Sequence, residues 1–105
     1  MKNTVIQYTT KEAARAENAS LIKDVFSELN LVAPNDLGYM VIELEGGRFI
    51  HIVTTSEEGS SKALTDLPAF KRFQDGAELR MDGSPSRAIG KHLGRFGLLA
   101  NAENS

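Results

Sequence analysis

The chain has 105 residues, 41% hydrophobic and 25% charged, with a formal net charge of −2 and no cysteine. Its size and composition predict one soluble domain spanning residues 1–105. Scattered rather than clustered lysines and arginines exclude a polyanion partner such as nucleic acid, and the missing cysteines exclude disulfides, thiolate nucleophiles and Cys-ligated zinc.

Residues 1–5 lack the apolar run of a signal peptide, and no apolar segment approaches the ~18–20 residues of a membrane span, so a cytoplasmic protein without membrane contact is expected. Val5, Ile6 and Tyr8 predict a first strand over residues 4–9. Thr9 and Glu12 then offer a capping box for a helix over residues 11–30. Its apolar stripe is Ala14, Leu21, Val25 and Leu29, widened by Ile22 and Phe26, opposite Glu12, Arg15, Lys23, Asp24 and Glu28. A loop at Pro34, Asn35 and Asp36 follows.

Two strong strands are expected at Leu37–Leu44 and Arg48–Thr55. A two-residue Gly-Gly turn would pair Glu43 with Ile50. A three-residue loop, Glu45–Gly47 with a left-handed glycine, instead pairs Ile42 with Ile50 and Met40 with Ile52, and is preferred. Residues 56–65 are polar and loop-like. Thr65 or Asp66 can cap a second helix with Pro68 in its first turn, Phe70, Phe73 and Ala77 as its buried stripe, and Gly76 weakening it. Residues 88–96 form the weakest strand because of Gly90 and Gly94, and the tail from Ala100 frays.

The order βαββαβ is the ferredoxin-like, split-βαβ arrangement of the α+β class: a four-stranded antiparallel sheet with two helices on one face. Alternation divides the sheet residues into two sets. Met40, Ile42, Leu44, Ile50 and Ile52 are assigned beneath the helices, with Leu21, Val25, Leu29, Phe70 and Phe73 packing on them. The open face would then present Val5, Gln7, Tyr39, Val41, Glu43, Phe49, His51 and Val53, together with His92. A patch that apolar calls for a partner, and a second copy of the chain is the simplest one.

Few residues suggest chemistry. A two-histidine metal site would need His51 and His92 to converge with Glu43, which no spacing supports, so no metal is expected. His51, mid-strand beside Glu43 and Tyr39, could move a proton near neutral pH, or be hydrogen-bonded across the dimer interface. Glu43 in a half-buried pocket could act as a base, or sit at the open end of the sheet paired with a lysine. Asn18 falls on the apolar stripe of the first helix, where a buried amide must find partners; a tie to a loop or strand end is favoured over substrate contact. Phe70 and Phe73 read first as core, and Lys71 and Arg72 as solvated.

Residues 5–8 (Val-Ile-Gln-Tyr), Glu17-Asn18 with Leu21 and Val25-Phe26 behind them, Phe49-Ile50-His51, and residues 67–74 (Leu-Pro-Ala-Phe-Lys-Arg-Phe-Gln) together resemble the dimeric α/β-barrel superfamily, in particular the antibiotic biosynthesis monooxygenase-like proteins. The resemblance covers roughly residues 3 to 81. It implies a homodimer with a ligand cavity between helices and sheet or inside the barrel. Relatives include cofactor-independent oxygenases of polycyclic phenols and haem-degrading enzymes; the latter use an Asn-Trp-His set, and this chain has no tryptophan. The function expected is a small-molecule enzyme, a monooxygenase needing no cofactor and acting on a phenolic or quinol-type aromatic. His51 or Glu43 would serve as base, Asn18 and Tyr39 would orient the substrate, and Phe49, Phe70 and Phe73 would exclude water. The alternative is a non-catalytic homodimer that binds a metabolite or accompanies a larger enzyme. A base open to a pocket marks the first, and polar groups buried and mutually satisfied mark the second.

Overall fold

A computed structural model describes residues 1–97. Strand β1 (Lys2–Thr9) leads through a 3-10 turn (Glu12–Ala14) into helix α1 (Arg15–Val32), and β2 (Leu37–Leu44) and β3 (Arg48–Thr55) form a hairpin. Three short helices follow, α2 (Lys62–Thr65), α3 (Pro68–Gln74) and α4 (Ala77–Arg80), before β4 (Ser86–Gly90). The strands make one four-stranded sheet in the order β2-β3-β1-β4, every pairing antiparallel. This is the expected ferredoxin-like topology. No helix among the described residues is long and apolar enough to cross a membrane.

The hairpin register is the one that the three-residue loop predicts. Ile42 lies opposite Ile50 and Met40 opposite Ile52, with Gly46 at φ 80° and Gly47 at φ 79°, a conformation open to glycine at little cost. The guanidinium of Arg15 lies against the second of these glycines, where a Cβ would come within 2.6 Å of its Nε.

The assignment of faces is inverted. The helices cover Tyr8, Phe49 and His51, which are 6%, 1% and 4% exposed, with Ile6, Tyr39, Val41 and Val53 packed around them. Met40 and Ile42 lie on the opposite face, 52% and 41% exposed, on the same side as Ile50 and Ile52. Val5 and Gln7 keep their place on the open side, opposite Ile52 and Ile50. Both candidate faces are apolar, so alternation alone does not choose between them. The larger aromatic set prevails because its rings bury more area against α1 and α3. Its polar members do not stand in the way: His51 is hydrogen-bonded, and Glu43 sits at the hairpin end of an edge strand, where it is exposed.

Other local expectations change for identifiable reasons. The capping box does not form, because strand-like pairing continues past Thr9. Thr10 bridges Met81, its N–H and hydroxyl both donate to Gly47 O (2.8 and 3.1 Å), and α1 begins later. The buried line of α1 is Asn18, Ile22 and Val25, with Leu21, Phe26 and Leu29 at its margins. The second helix is cut into two, α3 and α4, and α2 forms within residues 56–65, expected as a loop. Leu67 is extended before Pro68, and Gly76 takes φ 77° between α3 and α4. Neither Thr65 nor Asp66 caps α3; the N–H of Ala69 donates instead to Glu28 Oε1 of α1 at 2.9 Å. The last strand ends at Gly90 rather than 96, because Gly90 pairs with Asn3 and β1 supplies almost no further partners. His92 lies beyond it, exposed, its Nε2 3.0 Å from Gly94 O. The tail from Ala100 lies outside the described residues.

Candidate functional site

Where α1 crosses the sheet, a line of buried polar groups runs from α4 to β2. Arg80 Nε donates to Asn18 Oδ1 at 3.0 Å, and Asn18 Nδ2 donates to the Tyr8 hydroxyl oxygen at 3.0 Å. The Tyr8 hydroxyl lies 2.7 Å from His51 Nε2, and the Tyr39 hydroxyl 2.8 Å from His51 Nδ1. Arg80 further donates to the carbonyls of Phe73 and Asp75 and places its charge 5.3 Å from the centre of the Phe73 ring. Asn18, His51 and Arg80 are 1%, 4% and 5% exposed.

These contacts have one consistent polarity. A guanidinium only donates, so Oδ1 of Asn18 must face Arg80 and Nδ2 must donate to Tyr8. The single Tyr8 proton then goes to Nε2 of His51. A neutral imidazole carries its one proton on the other nitrogen, and Nδ1 donates to Tyr39. Burial holds His51 neutral by lowering its pKa to about 4. Burial likewise pushes Tyr8 up to about 12, against the opposing hydrogen bond from Asn18 and the charge of Arg80. Tyr39 is raised well above the ordinary phenol range by burial and by its neighbour Tyr8. The row is a set of neutral groups ordered by one cation, and it joins α4, α1 and three strand positions into a single unit.

Beside this row, toward β4, lies a cavity of about 260 Å³. Register explains its lining. Thr4 and Ile6 of β1 stand opposite Val53 and His51 of β3, and Arg87 of β4 stands opposite Ile6, so all of these side chains share the covered face. Leu64 and Phe70 form the helical wall. Lys2, Arg87 and Gln74 stand around the polar part.

The residues singled out in the sequence thus fall into distinct environments. His51, Asn18 and Tyr39 join in the buried row, and Phe49 stacks on Tyr8 at 5.5 Å. Phe73 is held between His51, 5.5 Å away, and Arg80. Phe70 borders the cavity and meets the Tyr39 ring edge-on at 6.5 Å. Glu43 is exposed and makes no hydrogen bond to His51, so the pairing of two titratable groups in one pocket does not occur. Nor is His51 a base poised near pH 7, because burial without a charged partner lowers its pKa too far. Among the described residues no cluster of three His, Asp or Glu side chains could hold a metal ion.

Sequence reading missed Tyr8, Arg80, Thr4 and Arg87. Tyr8 alternates with Ile6 and could have been placed with the covered aromatics. The demand of a buried Asn18 for partners was a signal, but its partner Arg80 lies 62 residues away and nothing local points to it.

Sheet order, register and the helix-covered face together define a ferredoxin-like fold, which solved structures of antibiotic biosynthesis monooxygenase-like proteins share. A solved structure described as an antibiotic biosynthesis monooxygenase superimposes with a TM-score of 0.71 at 14% identity, covering 90% of this chain and 100% of that one. A protein of unknown function from Nitrosomonas europaea gives 0.70 at 11% identity, covering 94% and 95%. A conserved protein from Methanosarcina mazei Go1 gives 0.68 at 16%, covering 86% and 90%. No family model matches the sequence, and no curated protein is significantly similar to it.

Proposed function

We propose that the protein is a small-molecule enzyme of the monooxygenase kind that acts, as a homodimer and without a cofactor, on a phenolic or quinol-type aromatic held in the cavity between helices and sheet. The observation that carries this reading is the cavity itself, walled by Phe70, Ile6, Val53 and Leu64 and carrying polar groups on one side. The fold supports it, being shared with proteins designated as monooxygenases. In such chemistry a phenolate delocalises charge onto an activated CH₂ carbon, which reduces O₂. One oxygen atom becomes the new C=O, and the other leaves as water with the two hydrogens of the CH₂, so the substrate carbon itself supplies all four electrons that reduce O₂. His51 is not the base in this scheme. It orders Tyr8 and Tyr39 behind the wall, and a substrate whose hydroxyl ionises near neutral pH needs no protein base. The dimer would form through the open sheet face, where Val5, Met40, Ile42, Ile50 and Ile52 gather.

A second reading, a metabolite-binding or accessory homodimer without catalysis, is favoured by the saturation of His51, both of whose nitrogens are engaged inside the fold. Oxygen uptake in the presence of a panel of hydroxylated aromatics, in metal-free buffer, tests the enzymatic reading. It expects consumption of one O₂ per quinone or ketone formed, reduced by Phe70→Asp. A wild type inert to the whole panel that retains a co-purified metabolite would replace it with the binding reading.

A further inference from the structure

The cavity has a charge character that the fold does not require. Lys2 and Arg87 border it, and among the described residues no carboxylate does. Neither Arg87 nor Lys2 makes a close ion pair among the described residues, although the charge of Lys2 is felt by Glu57, which is bonded to the N-terminal amine at 2.8 Å. Antiparallel pairing puts both on the covered side of the sheet, Lys2 half-buried and Arg87 exposed on the edge strand. Lys2 stands opposite Thr55 and Arg87 opposite Ile6, on the face that carries Thr4 and Val53. Thr4 is a second, independent sign. It is only 7% exposed, yet among the described residues its hydroxyl makes no hydrogen bond, and it borders the cavity. A hydroxyl that bonds no protein group and borders a cavity leaves a donor free for a ligand. The opposite wall, with Leu64 and Phe70, is apolar.

We infer that this cavity binds a small aromatic monoanion, its ring against Phe70 and Leu64 and its carboxylate or phenolate oxygen toward Arg87, Lys2 and the Thr4 hydroxyl. A volume of about 260 Å³ limits the ligand to one or two rings. A guanidinium suits either oxyanion, as a forked donor to a carboxylate or a single donor to a phenolate. The inference rests on the proposed function for the location of the substrate site and narrows its substrate to one that arrives already ionised.

Isothermal titration of the full chain with 2-naphthoate, 2-naphthol and the neutral isostere 2-naphthalenemethanol tests it. Naphthoate should bind at least tenfold more tightly than the alcohol and weaken with added salt. The acidic phenol 1-nitro-2-naphthol, ionised at pH 8, should bind far better than 2-naphthol if a phenolate is accepted, and no better if carboxylates alone are. Arg87→Met should cost naphthoate about tenfold and the alcohol nothing, with an unchanged circular dichroism spectrum. Thr4→Val, nearly isosteric, should weaken naphthoate severalfold. Equal affinity for naphthoate and the alcohol, no binding of either, or indifference to Arg87→Met would overturn the inference. Anion binding without oxygen uptake on any aromatic would leave it standing and remove the monooxygenase reading. Oxygen uptake on neutral aromatics that Arg87→Met leaves untouched would do the opposite.

Discussion

Lowering the pH from 7.5 to 5 should destabilise the protein through one residue. In the unfolded chain the imidazole of His51 ionises near 6.5, and in the native fold at about 4. The contribution of its neutral burial is therefore complete above pH 6.5, declines as pH falls toward 4, and changes no further below that. At pH 5 nearly every unfolded molecule carries the proton and about one native molecule in ten does, which removes ~2 kcal/mol of stability relative to pH 7.5. Glu57 and Asp66 do not enter this window. Each is held below the usual carboxylate range, Glu57 by the hydrogen bond from the N-terminal amine and Asp66 by that from Lys62. Urea unfolding at a fixed protein concentration, at pH 7.5, 6.5, 5.5 and 5, reads the loss. With a slope of ~1–1.5 kcal/mol per molar urea, the midpoint should fall by more than ~1 M. His51→Gln should be less stable at pH 7.5 but much flatter with pH. A wild-type midpoint that barely moves, or a glutamine variant that falls as steeply, would show that His51 is not buried neutral as described.

Arg80→Met should cost roughly 3 kcal/mol, because it strands Asn18 Oδ1 and two carbonyls that the guanidinium now satisfies, and Arg80→Lys should recover little of it; urea midpoints measure both. Gly47→Ala should destabilise more than Gly46→Ala. Both carry the strain of positive φ, about 1 kcal/mol, but a Cβ at Gly46 meets nothing within 4 Å while one at Gly47 strikes the Arg15 guanidinium. Glu28→Ala should cost about 1 kcal/mol through the lost cap on Ala69, and Arg72→Ala clearly less, because that ion pair is solvent-exposed. Ile52→Asp should dissociate the proposed dimer in sedimentation with circular dichroism preserved, whereas Val41→Asp, which packs against the core, should unfold the chain.

What the chain alone determined follows from local pattern. Alternation marked β2 and β3 to the residue, the helical period marked α1, and the parity of a three-residue glycine loop set the hairpin register. These features depend on neighbours within a few positions, and the element order then admits few topologies. Which face of the sheet the helices cover is not a local property. Tyr39, Phe49 and His51 and the Met40, Ile42 and Ile52 set are both apolar enough to bury, and the outcome turns on the ring area that α1 and α3 can cover and on whether His51 finds partners. Those partners come from β1, β2, α1 and α4: Tyr8, Tyr39, Asn18 and Arg80 lie on four separate elements, and only the fold brings them into one row. The same holds for Lys2, Thr4 and Arg87, which antiparallel pairing of β1 with β4 gathers around one cavity although 83 positions separate Thr4 from Arg87 in the chain.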